Sequence, residues 1–263
     1  MKDSDAKEEA VHMEISPHGV ATLTLDRPPV NSVHPDLIYG LLEAVDLVAT
    51  NDEVRSVLIK GAGGKFSAGA DIEVMSDESR ANYRVMRRWV EAGNALERLE
   101  KPVICGIERF ALGGGAELAL ACDVRIIGEG AVFGFPEVSL GLFPGAGGTQ
   151  RLTRLVGANK AFWLMATGAK LCAQDALSYG LVNEVVGDGE VLTRANEIAE
   201  MFAGGATRAI GIIKRLVYEW SGPQLASGLV READAVFEVV ATDDYREGFS
   251  AFQEKRPPHF TGR

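Results

Sequence analysis

Two glutamates in the middle of the chain stand next to glycine-rich segments. Glu117 closely follows the three glycines at 113–115, and Glu137 precedes a second small-residue run at 145–148. A carboxylate can take up and release protons, and consecutive glycines can expose backbone N–H groups that bind a developing negative charge. The two features together suit chemistry at a polarised carbonyl group.

The two glutamates, and Asp71 beside the small-residue turn at 69–70, also have ordinary structural explanations. Glu117 in the first turn of a helix would complement the helix dipole, Glu137 would be an exposed turn residue, and Asp71 would be a helix cap. However, Gly69-Ala70 and the glycines at 113–115 each open a predicted helix and can offer an N–H group at its positive end. Two such groups converging on one oxygen would form an oxyanion hole, and the sequence leaves that convergence open.

Other kinds of site fit the sequence poorly. The segment 61–67 resembles a phosphate loop, but Phe66 follows its Gly-Lys pair where a magnesium-binding Ser or Thr is needed, and residues 145–148 lack GxGxxG spacing. The histidines lie outside the glycine-rich segments and have no metal-pair spacing, so we expect neither a metal site nor a Ser-His-Asp triad. These histidines are His12, His18, His34 and His259.

The composition is that of a globular protein. The chain has 263 residues, 46% of them hydrophobic, and a net charge of −10, which allows one α/β domain with a large core and argues against nucleic-acid binding. Cys105, Cys122 and Cys172 have no CxxC spacing and are expected to be free thiols in a reducing compartment. Since no apolar run is long enough for a membrane span and the N-terminus lacks a secretory pattern, we expect a cytoplasmic protein.

Hydrophobic periodicity predicts an α/β body followed by a helical part. Expected strands cover 21–25, 54–60, 102–107 and 124–127, with helices at 35–50, 82–99 and 114–121 between them. This alternation favours a parallel sheet with helices outside it. After residue 149 we expect mainly helices, at 150–156, 160–167, 173–179, 190–202, 207–220, 223–241 and 244–254.

Five motifs in order resemble the enoyl-CoA hydratase/isomerase (crotonase) superfamily. They cover residues 67–72, 113–119, 136–137, 144–152 and 241–256, so the resemblance extends over nearly the whole chain after the first ten residues. The resemblance implies an α/β fold, a crotonase-like spiral of repeated ββα units with a helical C-terminal oligomerisation region. It divides the chain into a disordered tail at 1–10, a core at 11–200 and a helical region at 201–263.

The resemblance also assigns roles to individual residues. The backbone N–H groups of Ala70 and Gly114 would hold the thioester carbonyl of a 2-enoyl-CoA. Glu117 would deprotonate the attacking water, and Glu137 would deliver a proton to Cα, giving a 3-hydroxyacyl-CoA. No cofactor is implied, because coenzyme A enters as part of the substrate. The alternatives are a double-bond isomerase or another acyl-CoA lyase and, from a different class, a non-catalytic acyl-CoA-binding or RNA-binding protein.

Substrate-binding residues follow less directly from the resemblance. The acyl pocket would involve Phe135, Leu142 and Phe143 together with the region 75–89. Glu73 stands where a CoA-proximal lysine is common, and the run at 28–31 lacks its usual lysine. The phosphate contacts are therefore assigned to Arg27, Lys65 or Lys255, while Ala68, Asp71 and Ile72 complete the predicted CoA-binding set. A homotrimer or dimer of trimers is implied, with neither nucleic acid nor membrane as a partner.

Overall fold

The computed structural model describes residues 9–75, 80–219 and 242–263. Within these ranges the chain is a mixed α/β structure with two sheets. The described strands are β1 (Val11–Ile15), β2 (Val20–Leu25), β3 (Ser56–Gly61), β4 (Val103–Ile107), β5 (Phe110–Leu112), β6 (Val124–Gly128), β7 (Val132–Gly134), β8 (Lys170–Cys172) and β9 (Glu184–Val186).

The larger sheet has the strand order β1-β2-β3-β4-β6-β9, and the smaller one has the order β5-β7-β8. In the larger sheet every neighbouring pair except β1 and β2 is parallel. The predicted parallel arrangement is therefore confirmed for this sheet. In the smaller sheet β5 and β7 are parallel and β8 runs antiparallel to β7.

The helices surround these sheets and dominate the second half of the chain, as predicted. They are α1 (Pro35–Thr50), α2 (Ile72–Met75), α3 (Arg80–Arg98), α4 (Gly114–Leu120), α5 (Gly148–Val156), α6 (Ala158–Thr167), α7 (Ala173–Ser178), α8 (Val191–Ala203), α9 (Thr207–Glu219) and a C-terminal helix (Asp243–Glu254), with 3₁₀ turns at Ala62–Gly64 and Pro136–Leu140. The helix predicted at 223–241 lies outside the described residues. Helix α8 runs across the division expected after residue 200.

The central strands β3 and β4 of the larger sheet are buried on both faces. Successive side chains of a strand point to opposite faces, so a strand covered on both sides needs a continuous apolar run, as in Val57-Leu58-Ile59 of β3 and Val103-Ile104-Cys105 of β4. One face packs against α8 through Val20, Leu58, Ile104, Ile126, Ala195, Ile198, Ala199 and Ala203. The other face belongs to the main core, with Val57, Ile59, Val103, Cys105, Ile107 and Ile127.

The connections at the ends of β3, β5 and β7 meet in one place. The loop after β3 forms isolated bridges that pair Val33 with Ala70 and Ser67 with Ala111. Strand β5 leads through Gly113 directly into α4, and β7 leads into the 3₁₀ turn that carries Glu137. The fold therefore brings the segments around both glutamates and both small-residue turns together.

No helix within the described ranges is both long enough and apolar enough to cross a lipid bilayer.

Candidate active site

The loop after β3 presents the backbone N–H group of Ala70. Val33 pairs with the residues on either side of it: the Val33 N–H donates to the Gly69 carbonyl over 2.8 Å, and the Asp71 N–H donates to the Val33 carbonyl over 3.1 Å. This parallel bridge leaves the N–H of Ala70 pointing away from Val33. Ala70 is exposed, and its N–H donates to no other described residue.

The second backbone donor is the N–H of Gly114, at the start of α4. Gly113, the residue before the helix, has φ 52° and ψ −125°, a conformation that glycine tolerates far better than other residues. Its own N–H is taken by the Gly134 carbonyl over 2.9 Å. The N–H of Gly114 has no acceptor among the described residues, as expected at the first position of a helix.

These two N–H groups lie close together because glycine occupies the contact between their loops. A Cβ atom added to Gly69 would lie 2.6 Å from the Leu112 carbonyl oxygen and 3.1 Å from the Gly114 nitrogen. A Cβ atom added to Gly114 would lie 3.7 Å from the Ala70 nitrogen. The structure therefore places close together the two backbone donors that the sequence pointed to. Their joint action on one oxygen, as an oxyanion hole, stays a prediction.

Glu117 lies one turn into α4 and is 4% exposed. Its Oε1 atom accepts hydrogen bonds from the N–H groups of Ala146 over 2.7 Å and Gly148 over 2.8 Å. Its Oε2 atom accepts none from a described residue. One carboxylate oxygen is thus fixed by the loop before α5, and the second is left to interact with a bound molecule.

Glu137 lies at the start of the 3₁₀ turn and is partly buried. Its Oε2 atom is buried and has no hydrogen-bond partner in the described part of the chain. A Cβ atom added to Gly113 would lie 3.2 Å from Glu137 Oε1, so this carboxylate reaches the entrance of α4. A buried carboxylate oxygen without a partner is costly, and here it is free to accept a hydrogen bond from a bound ligand.

The pKa values of both glutamates are raised. The pKa of Glu117 is raised to about 7. Burial is the main cause and the negative charge of Glu137 adds to it, whereas the N–H groups of Gly148 and Ala146 and the charge of Arg151 lower the pKa. Burial also raises the pKa of Glu137. A carboxyl group that titrates near neutral pH can both take and return a proton during one turnover.

One residue of the site was missed by the sequence analysis as a specific contact. The indole N–H of Trp89, from α3, donates to the carbonyl oxygen of Gly114 over 3.0 Å, and Trp89 is 4% exposed. The region 75–89 was expected to contribute acyl-pocket side chains, whereas this side chain supports the backbone of α4. A tryptophan within an amphipathic helix gives no sign of such a long-range bond.

The predicted CoA-binding residues Arg27 and Asp71 are bound to each other. Arg27 Nη1 lies 2.6 Å from Asp71 Oδ2 and donates to Ser32 Oγ over 2.6 Å. Asp71 Oδ1 accepts a hydrogen bond from the N–H of Glu73 over 3.0 Å, which makes Asp71 the N-terminal cap of α2, in agreement with its structural explanation. Burial would raise the pKa of Asp71, but the N–H of Val74 and the Arg27 charge lower it.

The other predicted binding residues occupy varied surroundings. Lys65 Nζ donates to the Pro29 carbonyl over 2.8 Å, and Lys255 is exposed after the C-terminal helix. Ala68 is partly buried and Ile72 is 69% exposed. Their contacts with coenzyme A remain predictions.

The predicted acyl-pocket residues differ in exposure. Phe135 is 1% exposed and packs edge-on against Phe133, with ring centroids 5.9 Å apart. Leu142 is partly buried, and Phe143 is 71% exposed. Phe135 is therefore a core residue of this chain, and a role for it at an acyl group stays a prediction.

Within the described residues, no group of three or more His, Cys, Asp or Glu side chains is arranged to hold a metal ion.

Comparison with known proteins identifies the class to which this fold and site belong. The family model described as enoyl-CoA hydratase/isomerase matches residues 16–263. The short-chain-enoyl-CoA hydratase of Clostridium acetobutylicum is 40% identical over 243 residues, which cover 90% of this chain and 92% of that protein. The crotonyl-CoA hydratase of Syntrophomonas wolfei is 38% identical over 247 residues, with 93% and 95% covered.

The fold agrees with the sequence comparison. The crystal structure of an enoyl-CoA hydratase from Bacillus anthracis superposes with a TM-score of 0.92 at 36% identity, covering 97% of this chain and all (100%) of that one. The chain belongs to the enoyl-CoA hydratase/isomerase family. The resemblance expected from the five motifs is thereby confirmed, together with the α/β fold of this family.

Proposed function

We propose that this protein is an enoyl-CoA hydratase, which adds water across the trans-2 double bond of an enoyl-CoA thioester to give a 3-hydroxyacyl-CoA. The observation that carries the proposal is the placement of two carboxylates, Glu117 and Glu137, near two backbone N–H groups, those of Ala70 and Gly114, that have no acceptor among the described residues. The names of relatives about 40% identical over most of the chain support the same activity.

The two backbone donors act on the thioester carbonyl. Attack of water at Cβ moves negative charge through the conjugated system onto the thioester oxygen. Fixed N–H groups of Ala70 and Gly114 stabilise this charge, and losing one such donor typically costs about 3–4 kcal/mol of transition-state stabilisation. Since both donors belong to the backbone, side-chain substitutions affect them only by moving their loops.

The two carboxylates divide the proton transfers. Glu117, with Oε1 held by two N–H groups, offers Oε2 to the water and removes its proton as the C–O bond forms at Cβ. Glu137 shares the water and supplies the proton to Cα, which completes the addition. An ionised Glu117 and a protonated Glu137 are required in this direction, and proximity of the two negative charges favours a state with one proton between them.

The test follows the loss of the conjugated enoyl-thioester absorbance with crotonyl-CoA. We expect Glu117→Gln and Glu137→Gln each to lower kcat by roughly 10²–10⁴-fold, since each removes a positioned acid/base group. Glu129→Gln, at an exposed position after β6, is the matched control and should keep the wild-type rate. If the wild type is inert across acyl lengths, or both site variants remain fully active, the assignment is wrong.

A parallel assay separates hydration from isomerisation. A 3-enoyl-CoA is offered to the same proteins, and formation of the conjugated product is followed. Isomerisation needs only one proton shuttle, so an isomerase would convert the 3-enoyl-CoA faster than it hydrates crotonyl-CoA and would tolerate the loss of one glutamate. RNA binding is opposed by the net charge of −10.

We further propose a homotrimer or a dimer of trimers in a reducing compartment such as the cytoplasm. Exposed apolar side chains on α6, Phe162 at 72% and Trp163 at 63%, are of the kind that oligomer interfaces cover. The three cysteines are free thiols, which suits a reducing compartment. Sedimentation equilibrium tests the oligomer, and a monomer at micromolar concentration would contradict it.

A further inference from the structure

Arg151, in α5, has a nearly buried guanidinium that α3 binds from one side. Its Nε and Nη2 atoms donate to the two carboxylate oxygens of Glu97 over 2.7 and 2.9 Å, and Nη2 also donates to Asn94 Oδ1 over 2.7 Å. The Arg151 side chain is 10% exposed and that of Glu97 23%. A bidentate ion pair of this kind fixes the orientation of the guanidinium as well as neutralising its charge.

Two glycines leave the space that this guanidinium fills. A Cβ atom added to Gly147 would overlap the guanidinium, and one added to Gly93 would lie 3.2 Å from its Nη1 atom. Gly147 also has φ 110°, which disfavours other residues there. Chain segments from α3 and from the loop before α5 are thus both shaped around Arg151.

The remaining contact of Arg151 leads to the active site. Its Nη1 atom donates to the carbonyl oxygen of Ala146 over 3.2 Å. The N–H of the same residue, Ala146, donates to Glu117 Oε1 over 2.7 Å, and the next donor, the N–H of Gly148, lies two residues further on. Ala146 is therefore held by Arg151 through its carbonyl and holds Glu117 through its N–H.

We propose that Arg151, anchored by Glu97 and Asn94, is a positioning residue that holds the loop 144–148 so that its N–H groups meet the carboxylate of Glu117. This inference rests on the proposed role of Glu117 as the base that activates water. Arg151 donates to neither Glu117 nor Glu137 and works through the backbone of Ala146. Its proposed role is thus geometric.

A substitution at Glu97 can test the proposal, because the loss of its charge and the loosening of the loop would change the pKa of Glu117 in opposite directions. The charged groups that act on Glu117 are Glu137 and Arg151, with Glu97 behind Arg151. Neutralising Glu97 removes a negative charge, which by itself would lower the pKa of Glu117. Loosening the loop weakens the N–H bonds to the carboxylate, which raises that pKa. An upward change in Glu97→Gln therefore reports geometry.

The experiment measures kcat/KM for crotonyl-CoA against pH in Arg151→Lys, Arg151→Met and Glu97→Gln. At low pH, kcat/KM falls as the base Glu117 becomes protonated; this part of the profile is called the acid limb. We expect the acid limb to move to higher pH by about one unit in Arg151→Met and by less in Arg151→Lys and Glu97→Gln. We expect kcat at neutral pH to fall by roughly 10- to 100-fold in Arg151→Met. Glu117→Gln, assayed beside them, tests the underlying assignment on its own.

Arg55→Met is the matched control. Arg55 also donates to backbone carbonyls, those of Phe260 and Gly205, but precedes β3 at the end of that strand away from the Ala70 loop. It should lower the thermal unfolding midpoint and leave the acid limb in place. The same result for the Arg151 and Glu97 variants would reduce Arg151 to a structural residue and overturn the proposal.

Two further results would also overturn the proposal. One is an Arg151→Lys variant whose acid limb and kcat equal those of the wild type, since that would show that a positive charge alone suffices at this position. The other is an unchanged or downward limb in Glu97→Gln. By contrast, full activity of Glu117→Gln would refute the role of Glu117 as the base. That result tests the proposed function, whereas the Arg151 and Glu97 variants test the positioning role of Arg151.

Discussion

The indole N–H of Trp89 donates to the carbonyl oxygen of Gly114 over 3.0 Å and ties α3 to the first turn of α4. The contact is close, since a Cβ atom added to Gly114 would lie 3.4 Å from Trp89 Nε1. Gly114 is also the residue whose N–H faces the thioester oxygen in the proposed mechanism. The position of Gly114 next to the Ala70 loop is therefore supported by a side chain from another helix.

Replacing Trp89 by Phe should lower kcat with crotonyl-CoA by about fivefold while changing KM little. The substitution keeps an aromatic ring but removes the donor, and one buried hydrogen bond is worth about 1 kcal/mol. The loss falls on a group that acts in the transition state, so it appears in kcat. Glu129→Gln, at the exposed position after β6, is again the control. A wild-type kcat in Trp89→Phe would show that α4 keeps its position without this bond.

The elements that the sequence predicted are those with local signals. The long strands and helices have clear periodicity, and the pair Glu117 and Glu137 stands out because glycine runs flank both. Both small-residue turns were recognised as possible N–H donors, and the structure brings Ala70 and Gly114 together. Their convergence depends on pairing between β3, β5 and their loops, which no local pattern contains.

Apart from the five-residue strand β1, which was also not predicted, the features that the sequence did not predict are short or long-range. Strands β5, β7, β8 and β9 have three residues each, too few for a periodic signal. The contacts of Trp89 with Gly114 and of Arg151 with Glu97 join residues 25 and 54 positions apart. Arg27 was one of three cations assigned to the CoA phosphates because the usual lysines are missing, and its pairing with Asp71 was not predicted.

Substitution of Gly69 by Ala should lower kcat/KM by roughly 10²–10³-fold, the cost of losing one oxyanion donor. Its φ is 93°, and the new Cβ would lie 2.6 Å from the Leu112 carbonyl oxygen and 3.1 Å from the Gly114 nitrogen. Because these are backbone atoms, the two loops must separate. The measurement is steady-state hydration of crotonyl-CoA, with circular dichroism to verify the fold.

Gly63→Ala provides a matched control for Gly69→Ala. Gly63 has φ 67°, and a Cβ atom there would meet nothing within 4 Å. It should lose about 1–3 kcal/mol of stability from backbone strain and keep the wild-type kcat. Equal losses of activity in the two variants would mean that backbone strain, and not loop separation, is responsible.

The two cations Arg27 and Lys255 should affect different kinetic constants. Arg27 is bound to Asp71, the neighbour of Ala70, so Arg27→Met should disturb the Ala70 loop and lower kcat. Lys255 is exposed, and its predicted role is contact with coenzyme A. Lys255→Met should therefore raise KM and leave kcat unchanged, as loss of uniform binding does. A raised KM with unchanged kcat in Arg27→Met would restore its assignment to a CoA phosphate.

Glu117 should make the folded protein less stable as the pH rises. The pKa of this carboxyl is about 7 in the folded state, against 4.5 for an ordinary glutamate. Between these values the folded protein keeps a proton that the unfolded chain releases. The contribution of Glu117 to the free energy of unfolding is therefore full below about pH 4.5 and is lost as the pH rises through about 7.

Glu117→Gln removes this dependence, so its stability relative to the wild type should increase from about pH 5 to about pH 8, reaching about 1–3 kcal/mol in favour of the variant. The amide still accepts the N–H bonds of Ala146 and Gly148 but never carries the buried charge. Urea denaturation at several pH values measures the difference, and Glu129→Gln should show none. A difference that stays constant with pH would mean that Glu117 titrates alike in the folded and unfolded states. A rising difference would show that the protein gives up stability to keep an ionised base at this position.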